Sequence, residues 1–199
     1  MLKIWGRADA PNVRKVLWGC EELGLAYQRI DHGGPFGGGD DPAYLAKNPN
    51  GLVPTLEDGT FVLWESHAIL RYLANGAAGD ALYPSELHRR ALVDQWLDWQ
   101  AVHQAAAVRG LVRALAQPGG VPAPALEEAE RLFEILEDRL GTSAYLAGES
   151  FTLADIAAGV GAARWLTLPI ARPDLPALAA WSASLAQRPA FRRITGEVA

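Results

Sequence analysis

The stretch from Gly51 to Leu73, GLVPTLEDGTFVLWESHAILRYL, constrains the fold more than any other part of this 199-residue chain. Two short apolar runs, Val53–Leu56 and Phe61–Trp64, flank Asp58-Gly59. Asp-Gly between such runs signals a hairpin, because a tight turn needs positive φ at its centre. Glu65 and Ser66 then precede Ala68, Ile69, Leu70, Tyr72 and Leu73 at helical spacing, which predicts a helix with Ser66 as its N-cap. Pro54 stands where proline is tolerated, at the first residue of a strand, and it pushes Val53 into extended geometry. If the Val53–Pro54 bond is cis, Val53 turns its N–H and C=O outward to a ligand backbone. The free N–H groups of a helix N-terminus a few residues along suit a carboxylate. A peptide-like anion would find both. Taken alone, the pattern also describes an ordinary hairpin packed on a helix.

The segment before it reads as alternating strands and helices. Leu2–Trp5 alternates and is short, as a strand would be. Pro11 sits at a first helical position, followed by Val13, Val16, Leu17, Cys20 and Leu23, with Gly24 as the stop. Tyr27–Ile30 reads as a second strand, and Pro42–Lys47 as a short helix closed by Asn48-Pro49-Asn50-Gly51. Gly33–Gly39, GGPFGGG, lacks the Gly-Lys-Ser/Thr and the following helix of a phosphate loop, so it is read as a mobile connection beside a pocket. The first 75 residues therefore order as β-α-β-α-β-β-α, a small sheet with helices on its faces, similar to a thioredoxin-like domain.

A polar, glycine-containing break at Asn75–Asp80 places a boundary near residues 76–83, dividing the chain into 1–77 and 84–199. Beyond it the periodicity is helical throughout, so the fold class is α/β followed by an all-α bundle. Leu92, Trp96, Trp99 and His103 mark one face of a long helix from about Ser85. Further helices are expected from Leu126 to Leu140, stopped by Gly141, from Asp174 to Ala186, and from Pro189 to Ile194. Phe151-Thr152-Leu153-Ala154-Asp155-Ile156 carries a capping box, Thr152 with Asp155, and a hydrophobic staple, Phe151 with Ile156.

The hairpin with Val53-Pro54, followed by ESHAILRYL, resembles the glutathione-binding half of the cytosolic glutathione transferases, and the Thr152–Asp155 box resembles that of the core helix in their helical domain. The likeness spans nearly the whole chain, and the N-terminal site resembles that of bacterial, theta- or nu-like members with Asn in place of the hydroxyl residue. It implies glutathione as co-substrate without a metal, a small hydrophobic electrophile as second substrate, and a homodimer. Val53, held before Pro54, would pair with the cysteinyl backbone of glutathione, and Glu65 and Ser66 would hold its γ-glutamyl end. The helix opened by Pro11 would point its N-terminus at the sulfur.

Activation of that sulfur is the chemical problem. A free thiol ionises near pH 8.5, so lowering its pKa by about two units takes about 2.7 kcal/mol of preference for the thiolate. A helix N-terminus with one or two oriented donors can supply it. Many relatives place a hydroxyl or thiol in this loop, whereas Arg7-Ala8-Asp9-Ala10-Pro11-Asn12 contains none. Ala10 stands where the threonine of bacterial Thr-Pro-Asn relatives would be and Asn12 resembles their asparagine, so the resemblance makes Asn12 the candidate catalytic residue; Asp9 is within reach, but a carboxylate would raise a neighbouring thiol's pKa. Arg7, Trp5, His103 and Arg109 are candidates for the second-substrate pocket, and a His103 that merely ends an apolar stripe is the plainer alternative. Cys20, among apolar neighbours, reads as an inert buried thiol.

Two other functions stay open: a glutathione-dependent disulfide or peroxide reductase on the same site, and a transferase-like binding module without catalysis. The net charge of −5 with no basic stripe argues against nucleic acid as a partner. A single cysteine excludes an intrachain disulfide and a CxxC motif. No signal segment opens the chain and no apolar run is long enough for a membrane span, so a cytoplasmic protein is expected.

Overall fold

A computed structural model describes residues 1–77 and 79–196. Ala78, inside the expected break, and residues 197–199, at the end of the expected helical domain, lie outside the described residues. The chain forms two compact units: Met1–Tyr83 with the segment from Arg188 onward, and Pro84–Gln187.

In the first unit β1 (Leu2–Trp5), α1 (Pro11–Glu22), β2 (Tyr27–Ile30), α2 (Pro42–Leu45), β3 (Thr55–Asp58), β4 (Phe61–Trp64) and α3 (Ser66–Gly76) follow in order. The strands form one sheet in the order β2-β1-β3-β4, with β1 parallel to β2 and antiparallel to β3. Leu56 pairs with Ile4 on one side and Leu63 on the other, and Ile4 and Leu56 are fully buried. α1 and α3 pack on each other beside this sheet, burying Val13, Val16, Leu17, Ile69, Leu70 and Leu73. Gly6 joins β1 to α1 at φ 150°, and a Cβ there would lie 2.4 Å from Val13 Cγ2. Glycine is what lets the strand end run so close to the helix.

The glycine-rich connection, read from the sequence as a mobile one, contains local structure. Gly34–Phe36 forms a 3-10 turn, closed by the Gly33 N–H donating to the Gly37 carbonyl at 2.8 Å. Gly51, at φ 64°, lies against the Gly39 backbone, so close that a Cβ would sit 2.4 Å from the Gly39 carbonyl oxygen.

The second unit is helical: α4 (Leu87–Trp99), a π-helical turn (Gln100–Gln104), α5 (Ala105–Leu115), α6 (Ala123–Leu140), α7 (Leu153–Leu166) and α8 (Pro176–Ala186). Its core holds Leu97, Leu111, Leu136, Ile156 and a stack of Phe133 on Trp165 at 4.1 Å. The expected face Leu92–Trp96–Trp99–His103 is not the buried one. The buried row runs through Val93, Trp96, Leu97, Gln100, Gln104, Val108 and Leu111, leaving Leu92 and His103 exposed. Two glutamines occupy core positions, which hydropathy alone reads as surface. Gln104 donates to the Ala158 carbonyl at 3.2 Å and fits against Gly161, where a Cβ would meet its Oε1 at 2.6 Å.

α7 starts with the box expected from the sequence. Thr152 Oγ1 accepts from the Ala154 N–H, and Asp155 Oδ2 accepts from the Thr152 N–H at 2.9 Å. Asp155 also accepts from the Leu146 N–H and from Trp181 Nε1, linking α7 to a loop and to α8.

The final helix, α9 (Pro189–Gly196), belongs to the first unit. Phe191 meets Trp18 of α1 edge to face at 4.7 Å, and Arg188 forks onto both oxygens of Glu22 at 2.6 and 2.7 Å.

Candidate functional site

One cleft in the first unit is lined by Asn12, Asn48, Asn50, Leu52, Val53, Pro54, Glu65 and Ser66. Asn12, Val53, Pro54, Glu65 and Ser66 are the five residues that the sequence nominates for glutathione; three separate segments bring them together.

The first segment is the loop before β3. The Val53–Pro54 peptide bond is cis, and β3 begins only at Thr55, one residue beyond the strand start read from the sequence. Among the described residues neither the N–H nor the carbonyl of Val53 has a hydrogen-bond partner, so both are available as a docking edge. A polar bracket holds this loop. Asn48, buried, donates from Nδ2 to the Leu52 carbonyl at 2.8 Å and to Thr55 Oγ1 at 3.1 Å. The Tyr44 hydroxyl reaches the same carbonyl at 2.7 Å, and burial raises its pKa. Asn50 donates to Asn48 Oδ1. In the sequence Asn48-Pro49-Asn50-Gly51 reads only as a helix stop. The clustered turn residues were the available signal, but nothing local shows that the asparagine is buried.

The second segment is the start of α3. Ser66 is not the N-cap: it is the first helical residue, and Glu65 holds the cap position with φ 72° and ψ 116°. Glu65 is the one non-glycine residue with positive φ among those described. Such a conformation is disfavoured by the Cβ and persists only where its surroundings impose it, as at ligand clamps. No side chain caps the helix. Its first-turn N–H groups therefore keep the anion-binding character of an open N-terminus, with the exposed Glu65 carboxylate and the buried Ser66 beside them.

The third segment is the start of α1. Ala10 caps it without a side-chain bond and Pro11 is its first residue. Asn12 is exposed to the cleft, and its Oδ1 accepts from Lys15 Nζ at 3.0 Å. Asp9 is ion-paired with Arg7 at 2.5 Å, which offsets the negative charge it would bring to the loop.

The remaining candidates lie elsewhere. Arg7 does not line the cleft; its guanidinium is engaged by Asp9 and lies against Gly34. Trp5 does not line it either. Its indole N–H donates to Glu57 Oε1 at 2.6 Å, with Lys47 Nζ 4.3 Å over the ring and Tyr44 beside it. Lys47 and, less strongly, the Trp5 N–H hold the Glu57 carboxyl below its ordinary range. In the second unit His103 and Arg109 are exposed, His103 near Trp99 at 6.2 Å between ring centres. Cys20 is fully buried in α1, and burial pushes its thiol up to about 12. It is no nucleophile. Among the described residues no group of three or more His, Cys, Asp or Glu side chains could hold a metal ion, and no helix is long and apolar enough to cross a membrane.

This architecture matches that of known proteins over almost its full length. Residues 10–75 match the family model of the glutathione S-transferase N-terminal domain, and residues 102–189 match that of the glutathione S-transferase C-terminal domain. Glutathione S-transferase GstB of Escherichia coli strain K12 is 35% identical over 98% of this chain and 97% of its own. Glutathione S-transferase 3 of Zea mays is 35% identical over 99% and 94%. Among solved structures, a theta class glutathione S-transferase from Xanthomonas axonopodis pv. citri, with glutathione bound, is 45% identical. It superposes with a TM-score of 0.91 over 96% of this chain and 95% of that one. The chain belongs to the glutathione S-transferase family, with a thioredoxin-like N-terminal part and a helical C-terminal part. It is a glutathione transferase, with glutathione as its co-substrate.

Proposed function

We propose that the cleft of the first unit binds glutathione in an extended form and holds its sulfur as a thiolate for attack on a small hydrophobic electrophile. The observation that carries this reading is the convergence of Asn12, Val53, Pro54, Glu65 and Ser66 on one cleft, with Glu65 held at positive φ. Val53 offers a free N–H and carbonyl to the cysteinyl backbone. Ser66 and Glu65, at an uncapped helix start, suit the γ-glutamyl end, which carries both a carboxylate and an ammonium. Asn12 supplies an amide donor to the sulfur from the first turn of α1, where the helix dipole adds positive potential. The thiol proton leaves to solvent, the thiolate attacks the electrophilic carbon, and the displaced group departs with the bonding pair.

In the same reading residues 1–77 make up the glutathione-binding domain and 84–199 the helical domain of a cytoplasmic homodimer. An aryl halide and a mixed disulfide of glutathione, each supplied with glutathione, separate the chemistries. Thioether formation from the halide supports conjugation. Disulfide reduction without thioether would assign the cleft to a reductase, and turnover of neither would leave a binding module.

A further inference from the structure

Lys15 follows Asn12 by three residues, which places both on one face of α1. An ammonium on that face would ordinarily reach solvent, yet Lys15 is only 2% exposed. Burying such a group is costly unless its hydrogens find acceptors. Its acceptors include Asn12 Oδ1 at 3.0 Å and Nε2 of the buried His67 at 3.2 Å. His67 is the second residue of α3, directly after Ser66. A lysine side chain thus joins the first turns of the two helices that border the cleft.

An ammonium has three donors and no acceptor. Asn12 must therefore turn its carbonyl oxygen to Lys15, and the NH2 end of the same amide is left for the cleft. Rotating the amide by half a turn would set NH2 against NH3 and present an oxygen to whatever occupies the cleft. By the same logic His67 offers Nε2 as a lone pair, with its proton on Nδ1.

We propose that Lys15 is a positioning residue for sulfur activation: it locks the Asn12 amide with its N–H donors toward glutathione and ties that lock to the start of α3. This rests on the reading of Asn12 given above. Its effect is one of sign. A donor facing the sulfur favours the thiolate, whereas a carbonyl oxygen there would disfavour it.

The test compares the parent with Lys15→Met, Asn12→Ala and the double variant, following thiolate absorbance of bound glutathione against pH. Calorimetry with S-methylglutathione, which has no thiol to ionise, reports binding separately. Lys15→Met should raise the bound thiol's pKa by about one unit, about tenfold less thiolate at a fixed pH below it, while S-methylglutathione affinity changes less than threefold. In the Asn12→Ala background Lys15→Met should add nothing, since no amide remains to orient. If Lys15→Met does not fold, Lys15→Gln serves in its place, since its amide can present either end and so frees Asn12 to turn; a smaller rise is expected. An unshifted pKa in the folded variant overturns the proposal, as does an equal rise with and without Asn12, which would make Lys15 a distant charge. If Asn12→Ala itself leaves the pKa unchanged, the role of Asn12 falls first and that of Lys15 with it.

Discussion

Glu65 and Ser66 show how one dihedral angle can redirect a site. With Glu65 at φ 72°, the chain turns out of β4 so that Ser66 enters the helix as its first residue. Ser66 is therefore free to serve a ligand, where an N-cap serine would spend its hydroxyl on its own helix. Replacing it by alanine should weaken glutathione binding by about 1–2 kcal/mol, the worth of one charge-assisted hydrogen bond. Calorimetry that finds unchanged affinity would remove Ser66 from the site. The five nominated residues were legible because each lies in a short motif (a proline before a strand, a polar pair before a helix, an asparagine in a first turn) to which the family resemblance attaches a ligand. Asn48 and Lys15 were not. Asn48 reads only as part of a helix stop and Lys15 carries no local signal, and only tertiary packing buries them, Asn48 under the Val53 loop and Lys15 between α1 and α3.

Among the elements, α7 repeats its sequence signature faithfully, since a capping box is set by four consecutive residues. Its depth was not foreseeable. Asp155 is fully buried and takes donors from Leu146, Thr152 and Trp181, yet burial outweighs them and pushes its carboxyl up to about 6. A raised folded-state pKa favours the protonated native form, so its contribution is full below the unfolded value near 4 and is lost as pH rises toward 6. The parent should therefore lose stability relative to Asp155→Asn across that window, by at most about 3 kcal/mol. Parallel denaturation midpoints for the two proteins from pH 4 to 7 would contradict it. The long helix after residue 85 taught the opposite lesson. Its periodicity suggested a stripe one position away from the true one, because Gln100 and Gln104 hold core positions and a π-helical turn interrupts the 3.6-residue repeat there.

At the scale of the molecule, the fold class followed from the change in periodicity after residue 75, but the destination of the last helix did not. Nothing in Pro189–Ile194 says that it packs on α1, some 170 residues earlier in the chain. The Arg188–Glu22 fork makes that return. Burial alone would raise the Glu22 carboxyl, but Arg188 and the Trp18 N–H outweigh it and hold it below the usual range. A lowered folded-state pKa contributes stability at neutral pH that is lost as pH falls through the carboxylate range, the reverse of Asp155. Arg188→Met should cost about 1–3 kcal/mol at neutral pH, since Glu22 would be left partly buried without its guanidinium partner, held by the Trp18 N–H. A denaturant midpoint equal to the parent's would show that the fork adds nothing.

In the proposed mechanism the first unit binds glutathione and ionises it without a hydroxyl in the β1–α1 loop. A pH titration of bound glutathione, following thiolate absorbance on the purified protein, tests it directly. The predicted result is a bound pKa about two units below that of the free thiol. Binding with an unshifted pKa would contradict it.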